Sequence, residues 1–387
     1  MTIRLFDQDP QLRTFTAEVL SCEEKGGQYL VTLDRTAFFP EGGGQGADHG
    51  TLGGVHVLDA HEHGGVITHL TDGPLTVGDT VTGCVDSARR LMMSQQHSGE
   101  HMFSGLVCRL FGYDNVGFHI GSDAVTMDFN GPLTESDVLR VERMVNEAIW
   151  ADMPIKAYFP GKDELEAMSY RSKKALTGDV RIVTIDGIDT CACCGTHLPT
   201  TGGVGQVKVI GLAKYKSGVR VSILCGVRAL EYENMIQQQV REIGKTLSVK
   251  LHETAEAAAK LLAERDQLRY QNEQLGLRLF EAEARAQMDS DIRLVVGDML
   301  AASQLRKAAG LLAQGAKIAM VIAPREEGWN YAMSSQTEDV RPVTRALCEA
   351  FGGKGGGPKD MTQGVLGKAQ ESEIREKLYA LCGCQTL

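Results

Sequence analysis

In the segment His97-Ser98-Gly99-Glu100-His101 two imidazoles stand four positions apart, and in Cys193-Cys194-Gly195-Thr196-His197 a thiol and an imidazole share that spacing. Four positions are about one helical turn, so His97 and His101 fall on one face of a helix that carries them. Three imidazoles and a thiolate form a tetrahedral donor set that suits zinc, one ion per chain. A purely structural zinc, closed by four protein ligands, fits the same residues. The first segment also matches H-x-x-E-H, the inverted metallopeptidase pattern, with Glu100 as general base. That pattern needs a carboxylate as further ligand, whereas the chain offers Cys193 and His197, which counts against a peptidase.

A second constellation runs Thr36-Ala37-Phe38-Phe39-Pro40-Glu41-Gly42-Gly43-Gly44-Gln45. Gly42, Gly43 and Gly44 lack the Cβ that would hold a backbone away from a substrate. Thr36 and Gln45 supply a hydroxyl and an amide able to read polar substrate atoms. Alone, the segment reads first as a glycine-rich hairpin loop in a barrel.

The elements that must position these groups suggest an α+β protein. Residues 1–88 are β-rich, with runs such as QYLVTLD and GVITHL separated by Gly or Asp-Gly breaks, and a small β-barrel or sandwich is expected. From Ser87 the spacing of Leu91, Met92, Met102, Phe103, Leu106 and Leu110 turns helical. Residues 89–228 then read as an α+β layer holding both halves of the zinc set. Residues 229–290 contain no proline and carry a heptad-like seam from Ile236 through Leu247, Leu251, Leu261 and Leu268 to Leu279, so a helical or coiled-coil spacer is expected. Residues 291–387 alternate strand and helix as a small α/β domain interrupted by Gly352-Gly353-Lys354-Gly355-Gly356-Gly357.

At 387 residues the chain is long enough for two or three domains. Its net charge of −10 excludes indiscriminate polyanion binding but leaves room for local basic patches. No apolar run long enough to span a membrane occurs, and the start MTIRLFDQDPQLR lacks the apolar core of a signal peptide. With no export signal, the crowding of Cys191, Cys193 and Cys194 beside His197 reads as metal ligation rather than disulfides, and the expected compartment is the cytoplasm.

In combination, Thr-x-Phe-Phe-Pro-Glu-Gly-Gly-Gly-Gln at 36–45, Gln-His-x-x-x-His at 96–101, Cys-x-Gly-Thr-His at 193–197 and Thr-Gly-Gly-Val-Gly at 201–205 resemble the editing domain of alanyl-tRNA synthetases. More specifically they resemble the freestanding alanyl-tRNA editing proteins, the AlaX group in its long form. The segment GGKGGGPKDMTQG resembles the C-terminal domain of the synthetases, so the resemblance covers nearly the whole chain. Where the family usually has two glycines between Cys and Thr-His, this chain has Cys194-Gly195. Either Cys191 or Cys194 could therefore compete with Cys193 for the metal.

The resemblance implies zinc-dependent hydrolysis of the ester joining serine, or glycine, to the tRNA for alanine. A pocket built for alanine rejects a small added hydroxyl or a missing methyl poorly, so a second site must clear the errors. Thr36 would contact the serine hydroxyl, and Gln45 would position the ester or the attacking water. Gly42, Gly43, Gly44 and His119, in Gly117-Phe118-His119-Ile120-Gly121, would line the substrate, His119 being equally well placed as a core or supporting histidine. Candidate phosphate contacts are Arg171-Ser172-Lys173-Lys174, Lys208, Lys214, Lys216 and Arg220, with Gly355, Gly356, Gly357, Lys354 and Lys359 meeting the tRNA further out. No membrane partner is expected, and the spacer or the C-terminal domain could pair two copies. A non-catalytic tRNA-binding module with a structural zinc remains the alternative.

Overall fold

Between Thr14 and Val85 apolar and polar residues alternate, and each run becomes a strand with one buried face. The computed structural model describes residues 1–172, 180–285 and 289–383; Lys173 and Lys174 lie outside the described residues. The strands Thr14–Lys25, Gln28–Leu33, Val66–Thr71, Val55–His63, Gly50–Leu52 and Thr80–Val85 pair antiparallel in that order. The last pairs back onto the first, with Cys84 opposite Thr14. Val19, Val31, Leu33, Phe38, Leu52 and Val57 form the apolar core of this ring of strands.

The helix Ser87–Phe111 follows at once. Asp86 caps its start by accepting from the backbone N–H groups of Ala88 and Arg89, and Gly112 ends it in the left-handed conformation. Met102, Phe103, Leu106 and Val107 pack into a core shared with the helix Glu135–Trp150 and a four-stranded antiparallel sheet. That sheet has the order Val207–Tyr215, Gly218–Cys225, Val125–Phe129, Asn115–Ile120. Unusually for a core helix, its polar residues are buried as well, from Ser94 through Ser98 and again at Glu100, His101 and Ser104. Buried polar groups need partners, and these find them across the fold: Gln96 donates to Cys225 O and Gln95 to Gly203 O. Arg90 ties the helix to the ring, binding both carboxylate oxygens of Asp48 and donating to Pro10 O and Ala37 O. A third antiparallel sheet, Ile155–Tyr158, Ile182–Ile185 and Asp189–Ala192, ends immediately before Cys193.

These elements belong to one unit, Met1–Gln239; the second is Val240–Leu387. The region expected as a helical or coiled-coil spacer holds two helices rather than one. The helices Gly226–Leu247 and Thr254–Arg285 are separated at Ser248, whose φ is 55°, and by a single turn at Leu251–Glu253. The break falls on the Leu247–Leu251 step, where the heptad spacing slips and the seam no longer stays on one face. Ile236, Ile243, Leu261, Leu268 and Leu275 are exposed.

In the second unit a five-stranded sheet has the order Ile292–Val296, Ile318–Arg325, Gly328–Ser334, Met361–Leu366, Lys354–Gly356. Only its first pair is parallel, so the sheet is mixed. Alternate residues of Ile318–Arg325 feed two cores: Ala319 and Val321 pack with the helix Leu305–Leu312, while Met320 and Ile322 pack with Leu347 and Leu378. No helix among the described residues is long and apolar enough to cross a membrane.

Candidate metal centre

The helix Ser87–Phe111 presents His97 and His101 towards the loop that follows Asp189–Ala192, which carries Cys193 and His197. The four donor atoms all lie within 4.8 Å of one another, and the three histidines are buried. Cys193 Sγ is 3.3 Å from His97 Nε2 and 3.5 Å from His197 Nε2. Each imidazole is held at its other nitrogen. His97 Nδ1 donates to Gln45 Oε1 at 2.8 Å, His101 Nδ1 to Asp189 Oδ2 at 2.9 Å, and His197 Nδ1 stands 3.3 Å from Ser98 Oγ. Anchoring at Nδ1 leaves Nε2 of each ring for a ligand, which is how proteins orient histidines around a metal.

The electrostatics suit the same use. Burial pushes the Cys193 thiol up, but His97 and His101 beside it and hydrogen bonds from His101 and His197 hold it well below its ordinary value. Burial, helped by His101, brings His197 down to about 3, so that ring stays neutral. Burial also pulls His101 down, yet the Cys193 charge and the bond to Asp189 carry it well above its ordinary value. Thiolate and neutral imidazole are the ligating forms, which these surroundings favour at Cys193 and His197, whereas the charged His101 must give up its Nε2 proton to a metal; one soft sulfur with three nitrogens fits zinc.

A second group, His101, Asp189 and Cys191, also lies close together. Both Asp189 oxygens are taken by Arg171, at 2.7 and 2.8 Å, so this carboxylate orients rather than ligates. Cys194 is exposed, its sulfur 3.3 Å from where a Cβ on Gly43 would stand. Of the three neighbouring cysteines, Cys193 is the one among the four donors.

Other residues take places the sequence did not reveal. Gln45 is fully engaged with the centre's own frame: beyond His97, its Oε1 accepts from Thr196 N–H at 3.2 Å and its Nε2 donates to Thr196 Oγ1 at 2.9 Å. The glycine turn approaches its own chain. Gly42 and Gln45 exchange backbone bonds, and the carbonyl of Gly44, at φ 86°, accepts from Ile120 N–H. A Cβ on Gly44 would stand 2.6 Å from the Phe118 ring, so the close approach expected of a substrate is made by Phe118. His119 is exposed on the strand Asn115–Ile120, which removes it from the core. Glu100 accepts from Ser104 and Asn115 and is buried, a structural role rather than that of a peptidase base.

Thr36 is fully buried beside His69. His69 Nδ1 donates to Val31 O at 3.1 Å, a carbonyl that can only accept, so Nε2 carries the lone pair and Thr36 Oγ1–H donates to it at 2.9 Å. Thr36 Oγ1 also accepts from Phe38 N–H. Burial lowers His69 from 6.5 to about 4. Protonation therefore favours the unfolded chain: this stabilisation is complete above about pH 6.5 and drains away as pH falls towards 4. We expect His69→Gln to flatten the loss of stability between pH 7 and pH 4 by roughly 3 kcal/mol, read from urea unfolding at both pH values.

The basic candidates divide. Lys208 pairs with Glu142 at 2.8 Å, Arg220 grips Asp128 at 2.6 and 2.8 Å and stacks on Tyr215, and Arg171 is committed to Asp189. Those three are not free phosphate contacts. Lys214 and Lys216 are exposed at the hairpin between Val207–Tyr215 and Gly218–Cys225. In the second unit Gly355, Gly356 and Gly357 line a cavity of about 600 Å³ with Arg341, Arg345 and Lys354.

Residues 180–222, which include Asp189, Cys193 and His197, match the family described as Threonyl and Alanyl tRNA synthetase second additional domain, and residues 10–89 match tRNA synthetases class II (A). The Alanyl-tRNA editing protein Aarsd1 of Mus musculus is 30% identical over 275 residues, 66% of this chain and 67% of that protein. The chain belongs to the alanyl-tRNA editing protein family. It is also similar to the alanine–tRNA ligases of Ignicoccus hospitalis, 30% identical over 98% of this chain and 43% of that protein, and of Thermofilum pendens, 29% identical over 94% and 42%. The chain spans about two fifths of the length of these ligases. His97 and His101 lie outside both matched stretches, so the two halves of the centre come from different parts of this editing-family chain.

Proposed function

We propose that this chain hydrolyses, in trans, the ester joining serine to the tRNA for alanine, with glycine the alternative amino acid, using one zinc ion held by His97, His101, Cys193 and His197. The observation that carries the reading is the convergence of these four side chains, each imidazole anchored at Nδ1, in a chain of the editing family. Bound there, zinc supplies Lewis acidity or an anchor for the aminoacyl end. Gln45 holds the His97 ring and the Thr196 backbone, and Ser98 holds His197, so the donors are set before substrate arrives. Thr36 has its proton committed to His69 and meets a substrate only as an acceptor. With Phe38 N–H on one lone pair of Oγ1, a serine hydroxyl can donate to the other and an alanine methyl cannot, which gives Thr36 its proposed place in selection.

The exposed Lys214 and Lys216, and the cavity lined by Lys354, Gly355, Gly356 and Gly357, are the proposed tRNA contacts on the two units. Four protein donors also favour a second reading, a structural zinc in a non-catalytic tRNA-binding module. Time courses of ester loss from Ser-tRNA and Ala-tRNA, both on the tRNA for alanine, separate the two. The expected result is fast loss of the seryl ester alone; equal or absent loss of both contradicts an editing enzyme. Thr36→Val should slow the seryl reaction about tenfold, the worth of one hydrogen bond.

A further inference from the structure

The three imidazoles of the centre are not backed alike. His97 and His197 lean on neutral groups, Gln45 and Ser98, whereas His101 leans on a carboxylate. Asp189 reaches His101 because Gly105, one turn further along the same helix face, has no side chain. A Cβ there would stand 2.5 Å from Ile188 O and 2.6 Å from Asp189 Cβ. Arg171 completes the arrangement. Its backbone lies along the strand Asp189–Ala192, with N–H to Thr190 O at 2.8 Å and C=O accepting from Ala192 N–H at 2.9 Å. Its side chain turns back to grip Asp189 at two points, Nε to Oδ1 at 2.7 Å and Nη2 to Oδ2 at 2.8 Å. The Asp189 side chain is 1% exposed and that of Arg171 14%.

We infer that Asp189, locked by Arg171, is the positioning residue that fixes His101 as the strongest nitrogen donor of the centre, an inference that rests on the zinc reading above. A carboxylate on Nδ1–H fixes the ring's plane and tautomer and makes Nε2 a better donor than an amide or hydroxyl can. A lone carboxylate at this depth would carry a heavy desolvation cost. The two-point guanidinium grip offsets that cost and sets the plane of the carboxylate, which a lysine could not do. Arg171, expected from sequence to meet phosphate, thus serves the metal centre from behind.

The test uses the full-length protein, zinc competition against a chromogenic chelator, the ligand-field spectrum of the Co²⁺-loaded protein, and urea unfolding of the metal-free form. Asp189→Ala is expected to weaken zinc binding about 10–100-fold and to shift the Co²⁺ bands. Asp189→Asn keeps an acceptor but loses the charge, and should fall between Asp189→Ala and the parent. Arg171→Gln should also weaken binding, by less than Asp189→Ala. A merely structural Asp189 would move the unfolding midpoint while leaving zinc affinity within twofold and the Co²⁺ bands in place, and that result overturns the inference. Should Asp189→Ala fail to fold, the same criterion is applied to Asp189→Asn. Uptake of no zinc by the parent protein overturns the zinc reading and the inference together; tight zinc in both parent and variant overturns the inference alone.

Discussion

The Cys193→Ala protein loses zinc by more than the about 10–100-fold that removal of a supporting partner costs, and loses hydrolysis of Ser-tRNA with it, while Cys191→Ala and Cys194→Ala retain both. The three sulfurs differ in surroundings rather than in chemistry. Cys193 Sγ faces His97 and His197 Nε2 at 3.3 and 3.5 Å, in a setting that favours its thiolate. Cys191 sits one pleat earlier in the strand, where burial pushes its thiol up and its contact is Ala192 O. Cys194 is exposed. Zinc content by metal analysis after dialysis, with a chelator titration, reads the outcome. A Cys193→Ala protein that holds one zinc per chain, or a Cys194→Ala protein that holds none, would mean that another sulfur is the ligand.

Asp48→Ala destabilises the protein by about 3–5 kcal/mol, although Asp48 touches none of the four donors. Arg90 and Asp48 are 0% and 1% exposed, and Arg90 also donates to Pro10 O and Ala37 O, so one guanidinium joins the helix of His97 and His101 to the strands around Thr36. Removing Asp48 leaves a buried cation without its counter-charge and frees Phe39 N–H from its acceptor. A double variant, Asp48→Ala with Arg90→Met, should recover much of the loss, because an apolar pair avoids the uncompensated charge. Urea unfolding of the three proteins decides the point; equal destabilisation by the single and double variants would show that the ion pair is not the source.

Much of the site could be read from local spacing. His97 and His101 share a helix face whatever the rest of the fold does, and Cys193 and His197 sit within one short turn. Their meeting, and the anchors Asp189 and Ser98, depend on how a strand from the third sheet docks beside that helix, which no local pattern encodes. The polar run Ser94–Ser98 was a signal available beforehand: so many polar residues within an apolar helical pattern imply a buried polar network. Arg171 misled because a basic run resembles a phosphate-binding surface, and only the return of its side chain to Asp189 shows its use. His69 was hidden in a strand that reads as ordinary alternation. The break at Ser248 has no proline to announce it; it falls on a slip in apolar spacing, and the carbonyl of Gly244, in the last turn before it, accepts from Val249 N–H across the break.

What the four side chains hold, and what binds beside them, decides the function of this site. A crystal structure of the zinc-loaded protein with a non-hydrolysable seryl-adenosine analogue addresses this directly. It should show zinc bonded to His97, His101, Cys193 and His197, with the seryl group next to the metal. A metal bound elsewhere, or an analogue seated away from these residues, would contradict it.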